Sequence, residues 1–297
     1  MSNSGYTTTS ALSDSIETMI SSARNVREYE GVMTQLAEKV TLPSNSGEAW
    51  NEITLSQVTA QAVTETTKLD NPQQVTDTKF PLTPTMVGLH IVILDKIKRR
   101  LSKKVLAKLG GSAQVAIERK KDEDGLVLLD GAGTSLAGAG TTLTSGHIDA
   151  GVVQITSNTT EPGKPPIYVV LHGYQIRDIA DEIKAGLGTY AIPEGLTANV
   201  FKNGIRGVSV TGAQIFEDGN ITIDSAADAK GGIFAKEGVI LVQGKSPWQE
   251  PRREPDLGGG ADSFFHYDEF VYGERLAAGT TSAFLFEVYS DATAPTS

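Results

Sequence analysis

The chain has 297 residues, of which 39% are hydrophobic and 21% charged, and its 36 Asp and Glu outweigh its 26 Lys and Arg. This is ordinary globular composition, long enough for one large domain or two smaller ones. The absence of cysteine excludes disulfides, thiolate metal sites and a Cys nucleophile. No apolar run reaches the ~18 residues of a membrane helix, and MSNSGYTTTSALSDSIE lacks the basic start and apolar block of a secretory signal.

From Asp14 a helical period runs through Ile16, Met19, Ile20, Ala23 and Val26, then Val32, Met33, Leu36, Ala37 and Val40. Asp14 with Glu17 resembles a capping pair. This predicts an amphipathic arm, whose apolar face must be buried on its own body or on a neighbouring chain. Residues 52–80 are rich in Thr, Val and Gln, and KLDNP is a turn signal. A long hairpin follows, Ile53–Glu65 paired back to Gln73–Phe80, which needs something to lie against because a lone hairpin is marginal in water.

A Pro-bounded strand then feeds a helix with the stripe Leu94, Ile97, Leu101, Val105, Leu109, Ala113 and Ala116. Running from about Leu94 to Asp124, it would be roughly 45 Å long. Gly110 and Gly111 lie inside it, each costing about 1 kcal/mol relative to Ala, so a bend or a close neighbour is expected there. Residues 96–121 hold ten basic side chains and one acid, Glu118, in an otherwise acidic protein.

Beyond it, AGTSLAGAGTTLTSG reads as a flexible loop and His147–Thr156 as a mixed segment. PPIYVVLHGYQIRDIADEIKAGLG gives a buried strand, Ile167–Leu171, and a helix over Tyr174–Ala185. Short strands are predicted in GVSVTGAQIF, NITID and GIFAKEGVILVQG. SPWQEPRREPDLGGG reads as a Pro/Gly loop, and FFHYDEFVYGERL with SAFLFEVYS as a closing hairpin. The whole is α+β.

Motifs for chemistry fail one by one. Gly131-Ala132-Gly133 lacks the third glycine of a dinucleotide fingerprint and follows a helix, so it reads as a helix exit. At Gly244-Lys245-Ser246 the glycine a phosphate loop needs five residues earlier is Val239, inside an apolar run, and Pro247 blocks the helix. No GxSxG elbow occurs. His90, His147, His172 and His266 are scattered, with no metal-ligand spacing, and His172 at its strand–helix junction has no assignable Ser or Asp partner. No catalytic residue, cofactor or metal site is therefore expected. The basic stripe has no interleaved aromatics; solvated helix surface and loose, salt-sensitive contact with nucleic acid both remain open.

The order of parts resembles the major capsid protein of tailed bacteriophages, with the Hong Kong 97-type capsid fold. LTPTMVGLHIVILDKIKRRLSKKV is similar to that family's entry into its spine helix, and RKKDEDGLVLLDGAG to its exit. PPIYVVLHGYQIRDI resembles the start of its axial domain, and GGIFAKEGVILV its late core strand. The resemblance implies an N-terminal arm (1–50), an extended loop (51–85), the spine helix and peripheral domain (86–164), an axial domain (165–255), and a return to the peripheral domain with a tail (256–297).

It also implies a non-enzymatic virion protein assembled in the host cytoplasm. Hexamers and pentamers of it would tile an icosahedral shell around double-stranded DNA, held by non-specific contact. Its partners would be itself, a portal, and separate scaffolding and decoration proteins, with no membrane. Some members join a loop lysine to a neighbour's asparagine; Lys68 sits at the predicted hairpin tip, but no partner Asn can be matched. Rival readings are an encapsulin-type compartment of the same fold, a phage tail or baseplate component, and a cytosolic α/β enzyme built on the 167–186 unit.

Overall fold

The structure is a computed structural model that describes residues 28–43, 47–67, 72–99, 103–185, 209–278 and 282–296. The amphipathic period of residues 14–27 and Lys68 lie outside the described residues.

The described chain opens with a one-turn helix α1 (Met33–Leu36) and strand β1 (Glu38–Thr41). Strands β2 (Trp50–Leu55) and β3 (Asp77–Leu82) form a separate two-stranded ribbon, and β4 (Thr85–Leu94) runs from its base into a short helix α2 (Asp95–Lys98). The long helix α3 (Lys103–Asp130) follows, then β5 (Ser135–Ala137) and α4 (Ser145–Thr156). Next come β6 (Ile167–Leu171), α5 (Gly173–Ala185), β7 (Ser209–Val210), β8 (Ala213–Glu217) and β9 (Asp228–Ala235). A 3₁₀ turn (Lys236–Gly238) leads to the long strands β10 (Val239–Glu254) and β11 (Ala261–Glu274), and β12 (Leu285–Asp291) closes the chain.

Two larger sheets organise these elements: four strands in the order β1-β10-β11-β4, and six in the order β5-β12-β9-β6-β8-β7. One apolar core joins the six-stranded sheet to α4 and α5 through Ile148, Ile155, Ile176, Ile179, Ile233 and Phe284. The other joins α3 to both sheets and to the arm through Leu126, Leu129, Met33, Phe234 and Phe270. Close approach inside the six-stranded sheet depends on glycine. A Cβ at Gly231 would lie 2.3 Å from the Val170 carbonyl oxygen, which is backbone and cannot give way. Gly231→Ala is therefore expected to cost about 1–3 kcal/mol, read as a lowered thermal midpoint.

Several expectations are corrected. The helix starting near Leu94 is split: β4 keeps Leu94, α2 takes one turn, and α3 extends to Asp130. Val40 belongs to β1, because parallel pairing of Glu38–Thr41 with Ile240–Gln243 overrides the helical period. His147–Thr156 lies in α4, whose first turn is closed by Thr144 and His147, with 3.0 Å between Thr144 Oγ1 and His147 Nδ1. The flexible loop contains β5.

The predicted Pro/Gly loop is instead the second half of β10, paired from Trp248 to Glu254 with β11. Pro247 falls at the register shift between Lys245 and Trp248, and beyond Gln243 the strand has no β1 partner, so Pro251 stands where an edge tolerates it. The closing hairpin does not form. β11 pairs with β10 and β4, whereas β12 lies between β5 and β9. The chain passes from the six-stranded to the four-stranded sheet at Lys236–Gly238, and residues 256–297 contribute strands to both.

Candidate functional site

No concave chemical site emerges among the described residues. No cluster of three or more His, Cys, Asp or Glu is placed to hold a metal. Gly131 and Ala132 donate back to the Val127 and Leu129 carbonyls, closing the helix end. Gly244-Lys245-Ser246 lies within β10. His172 is half-buried, its Nδ1 accepting from the Tyr174 backbone N–H at 3.2 Å and its ring edge-on to Tyr174. Burial pushes its pKa down, against the opposing pull of Glu217. The other histidines are dispersed: His90 stacks on Phe265, and His266 lies near Gln249.

Of the expected helix stripe Ile97 and Ala113 are buried and Ala116 half-buried, while the side chains of residues 101, 105 and 109 lie outside the described residues. Burial continues at Ile117, Leu126 and Leu129, with two charged side chains, Lys121 and Asp122, buried between. Lys121 Nζ lies 3.0 Å from Asp268, contacts Gln243, and sits over the Phe270 ring. Among the described residues, four of the run's ten basic side chains, Lys121 included, are paired inside the subunit. Lys98 pairs with Asp262, Arg119 with Glu28 and Glu123, and Lys120 with Asp124. This lowers the free positive charge that composition alone assigns to the stripe.

Asp122 and Asp218 form a second buried centre that no sequence signal marks. Asp122 accepts the Met33 backbone N–H at 3.0 Å and the Asn220 side-chain amide at 2.9 Å. Asp218 accepts the backbone N–H of Val32 at 3.2 Å and of Asn220 at 2.9 Å. Residues 28–37 are thereby fixed on their own subunit, with Met33, Leu36 and Ala37 buried. For this part of the arm the neighbouring-chain alternative is corrected: the apolar side chains find partners at home.

The hairpin is different. Beyond the β2–β3 ladder the two limbs stay in the same register, Ser56 donating to Thr76 and Thr59 to the Gln73 side chain. Its base is braced by Arg275, which bonds Glu52 and Glu38 at 3.0 Å each. The alternation on β2 is inverted: Glu52 faces inward, while Ile53 and Leu55 are 62% and 64% exposed. Val58, Val63 and Val75 continue the exposed apolar row. Such a row on a projecting ribbon marks a contact surface.

A cleft of about 1040 Å³ opens between the arm, the middle of α3 and the β10–β11 ribbon. Gly110 and Gly111 line it; α3 continues through them, and a Cβ on either would meet nothing within 4 Å. The close neighbour expected beside this glycine pair is not part of the described subunit.

No family model matches the sequence, and no curated protein is similar to it. Solved structures are similar over nearly the whole chain. A cyanophage Pam1 capsid subunit has a TM-score of 0.70 at 10% identity, covering 92% of this chain and 96% of its own. A chain from Mycobacterium phage Che8 has 0.69 at 13%, covering 90% and 94%. The acid-stable capsid of Helicobacter pylori bacteriophage KHP30 has 0.68 at 10%, covering 95% and 98%. The chain therefore has the Hong Kong 97-type capsid fold.

Proposed function

We propose that this protein is the major capsid protein of a tailed bacteriophage, a structural protein without an active site. The observation that carries the reading is fold similarity to phage capsid chains over at least 90% of this chain and 94% of theirs. The exposed apolar side chains of the hairpin support it, since they are left uncovered among the described residues. Copies of the subunit form hexamers and pentamers that close into an icosahedral shell, each contact modest and the symmetry multiplying it.

In this reading the ribbon of residues 50–82 is the extended loop, and α3 with the four-stranded sheet is the peripheral domain. The six-stranded sheet with α4 and α5 is the axial domain. The shell encloses double-stranded DNA through non-specific contact, with a portal and separate scaffolding and decoration proteins as further partners. It assembles in the host cytoplasm. The phage origin of the similar structures weighs against the encapsulin-type compartment.

Purified protein is expected to sediment as closed particles or capsomer rings, visible by negative stain. A stable monomer that stays inert at micromolar concentration would overturn the reading.

A further inference from the structure

Besides the Arg119–Glu28 ion pair, the arm is fastened to the body by two acidic side chains. Asp122 on α3 and Asp218 in the turn after β8 are each only 1% exposed and lie within hydrogen-bonding reach of each other. Each of their four oxygens accepts one neutral amide: Met33 and the Asn220 side chain for Asp122, Val32 and the Asn220 backbone for Asp218. Among the described residues no Lys, Arg or His pairs with either. The adjacent cation, Lys121, is engaged by Asp268 and Gln243. The other charged or titratable neighbours are Asp124 on the same helix, Glu217 on β8, and Tyr272 on β11, whose hydroxyl bonds Thr34 of the arm.

The arm itself supplies the burial. A Cβ at Gly31 would lie 2.1 Å from the Asp122 carboxyl carbon, so the arm backbone rests directly on the carboxyl group. The Tyr29 ring covers Gly219, where a Cβ would lie 2.5 Å from its nearest atoms. Lifting residues 29–37 would return both carboxyls to water. Two adjacent carboxylates in a dry site, with no cation, cannot both be ionised at low cost.

We propose that Asp218 carries a proton while the arm is docked, donating it to Asp122, and that loss of this proton to solvent releases residues 29–37 from the body. The arm is a proton-operated latch. The direction follows from linkage. Burial, followed by the neighbouring Asp122, pushes Asp218 up from 3.8 to about 7. An acid whose folded-state value is raised binds its proton more tightly when docked. Its docking is therefore strongest at low pH, weakens as pH rises above the unfolded value, and carries the full penalty above about pH 7.

The test is amide hydrogen exchange on the full chain, expressed as protection factors between about pH 4 and pH 8, with β6 amides as the internal reference. Protection of residues 32–37 is expected to fall by up to about tenfold per pH unit between about pH 4 and pH 7 and to level off above, while Ile167–Leu171 stay constant. Asp218→Asn is expected to flatten the profile. Asp122→Asn provides a second arm, removing the like charge and keeping the segment docked at high pH. A flat wild-type profile, or the wild-type slope in a folded variant, would overturn the latch. Dispersed subunits suffice for the measurement, so its failure would leave the shell reading standing.

Discussion

Replacing Ile53, Leu55 and Val58 together with aspartate is expected to abolish closed particles while leaving the subunit folded. All three side chains are more than 60% exposed, so the subunit loses almost no burial when they change. Exposed substitutions of this kind usually move stability by less than about 0.5 kcal/mol. Across an interface the same positions behave oppositely. Each apolar side chain taken out of water contributes roughly 1–2 kcal/mol, and an aspartate there adds an unpaired charge to a drying surface. Every copy in a shell carries the change, so the loss is repeated at each contact. Unchanged thermal unfolding with only small species in sedimentation is the expected pair of results. Normal particles from the triple variant would remove the hairpin from the assembly argument.

Lys121→Ala is expected to produce the largest loss of subunit stability. Lys121 is 7% exposed and its partner Asp268 2%, with Gln243 contacting both. Removing the cation leaves a buried carboxylate with only the Gln243 side-chain amide and the Glu269 backbone N–H for company. Breaking one side of such a pair costs about 3–5 kcal/mol. For a chain of this size that is a fall in melting temperature on the order of 10 °C. The paired change Lys121→Met with Asp268→Leu is expected to recover most of it, because an apolar pair of similar volume needs no counter-charge. If Lys121→Ala melted within about 1 kcal/mol of the parent, the buried pair would be irrelevant to the packing of α3 on the four-stranded sheet.

Elements written in local pattern were legible from the sequence. The Thr, Val and Gln content of residues 52–80 marks the hairpin, and the apolar run Ile167–Leu171 before an amphipathic segment marks β6 and α5. What escaped was set by distant partners. β10 runs through Pro247 and Pro251 because β11 holds one side and a register shift absorbs the first proline. β12 looked like the return limb of β11 until the six-stranded sheet claimed it. The buried charges were the hardest to foresee. Lys121 lies in a basic run and Asp122 in an acidic one, and both runs read as solvated surface. Only the arrival of Asp268, Asn220 and the arm backbone makes their burial tolerable. The candidate surfaces divided the same way: the hairpin row was visible as weakly apolar sequence, whereas the carboxyl pair left no local trace.

The position of β12 has a consequence for biosynthesis. Residues 285–291 are hydrogen-bonded on one side to β5 and on the other to β9, both made earlier. Until the ribosome has released that segment, a gap one strand wide separates two halves of the sheet, each with bare amide and carbonyl groups along its lip. The sheet therefore stays open and adhesive after β9 has been made, and seals only when β12 inserts between strands synthesised before it.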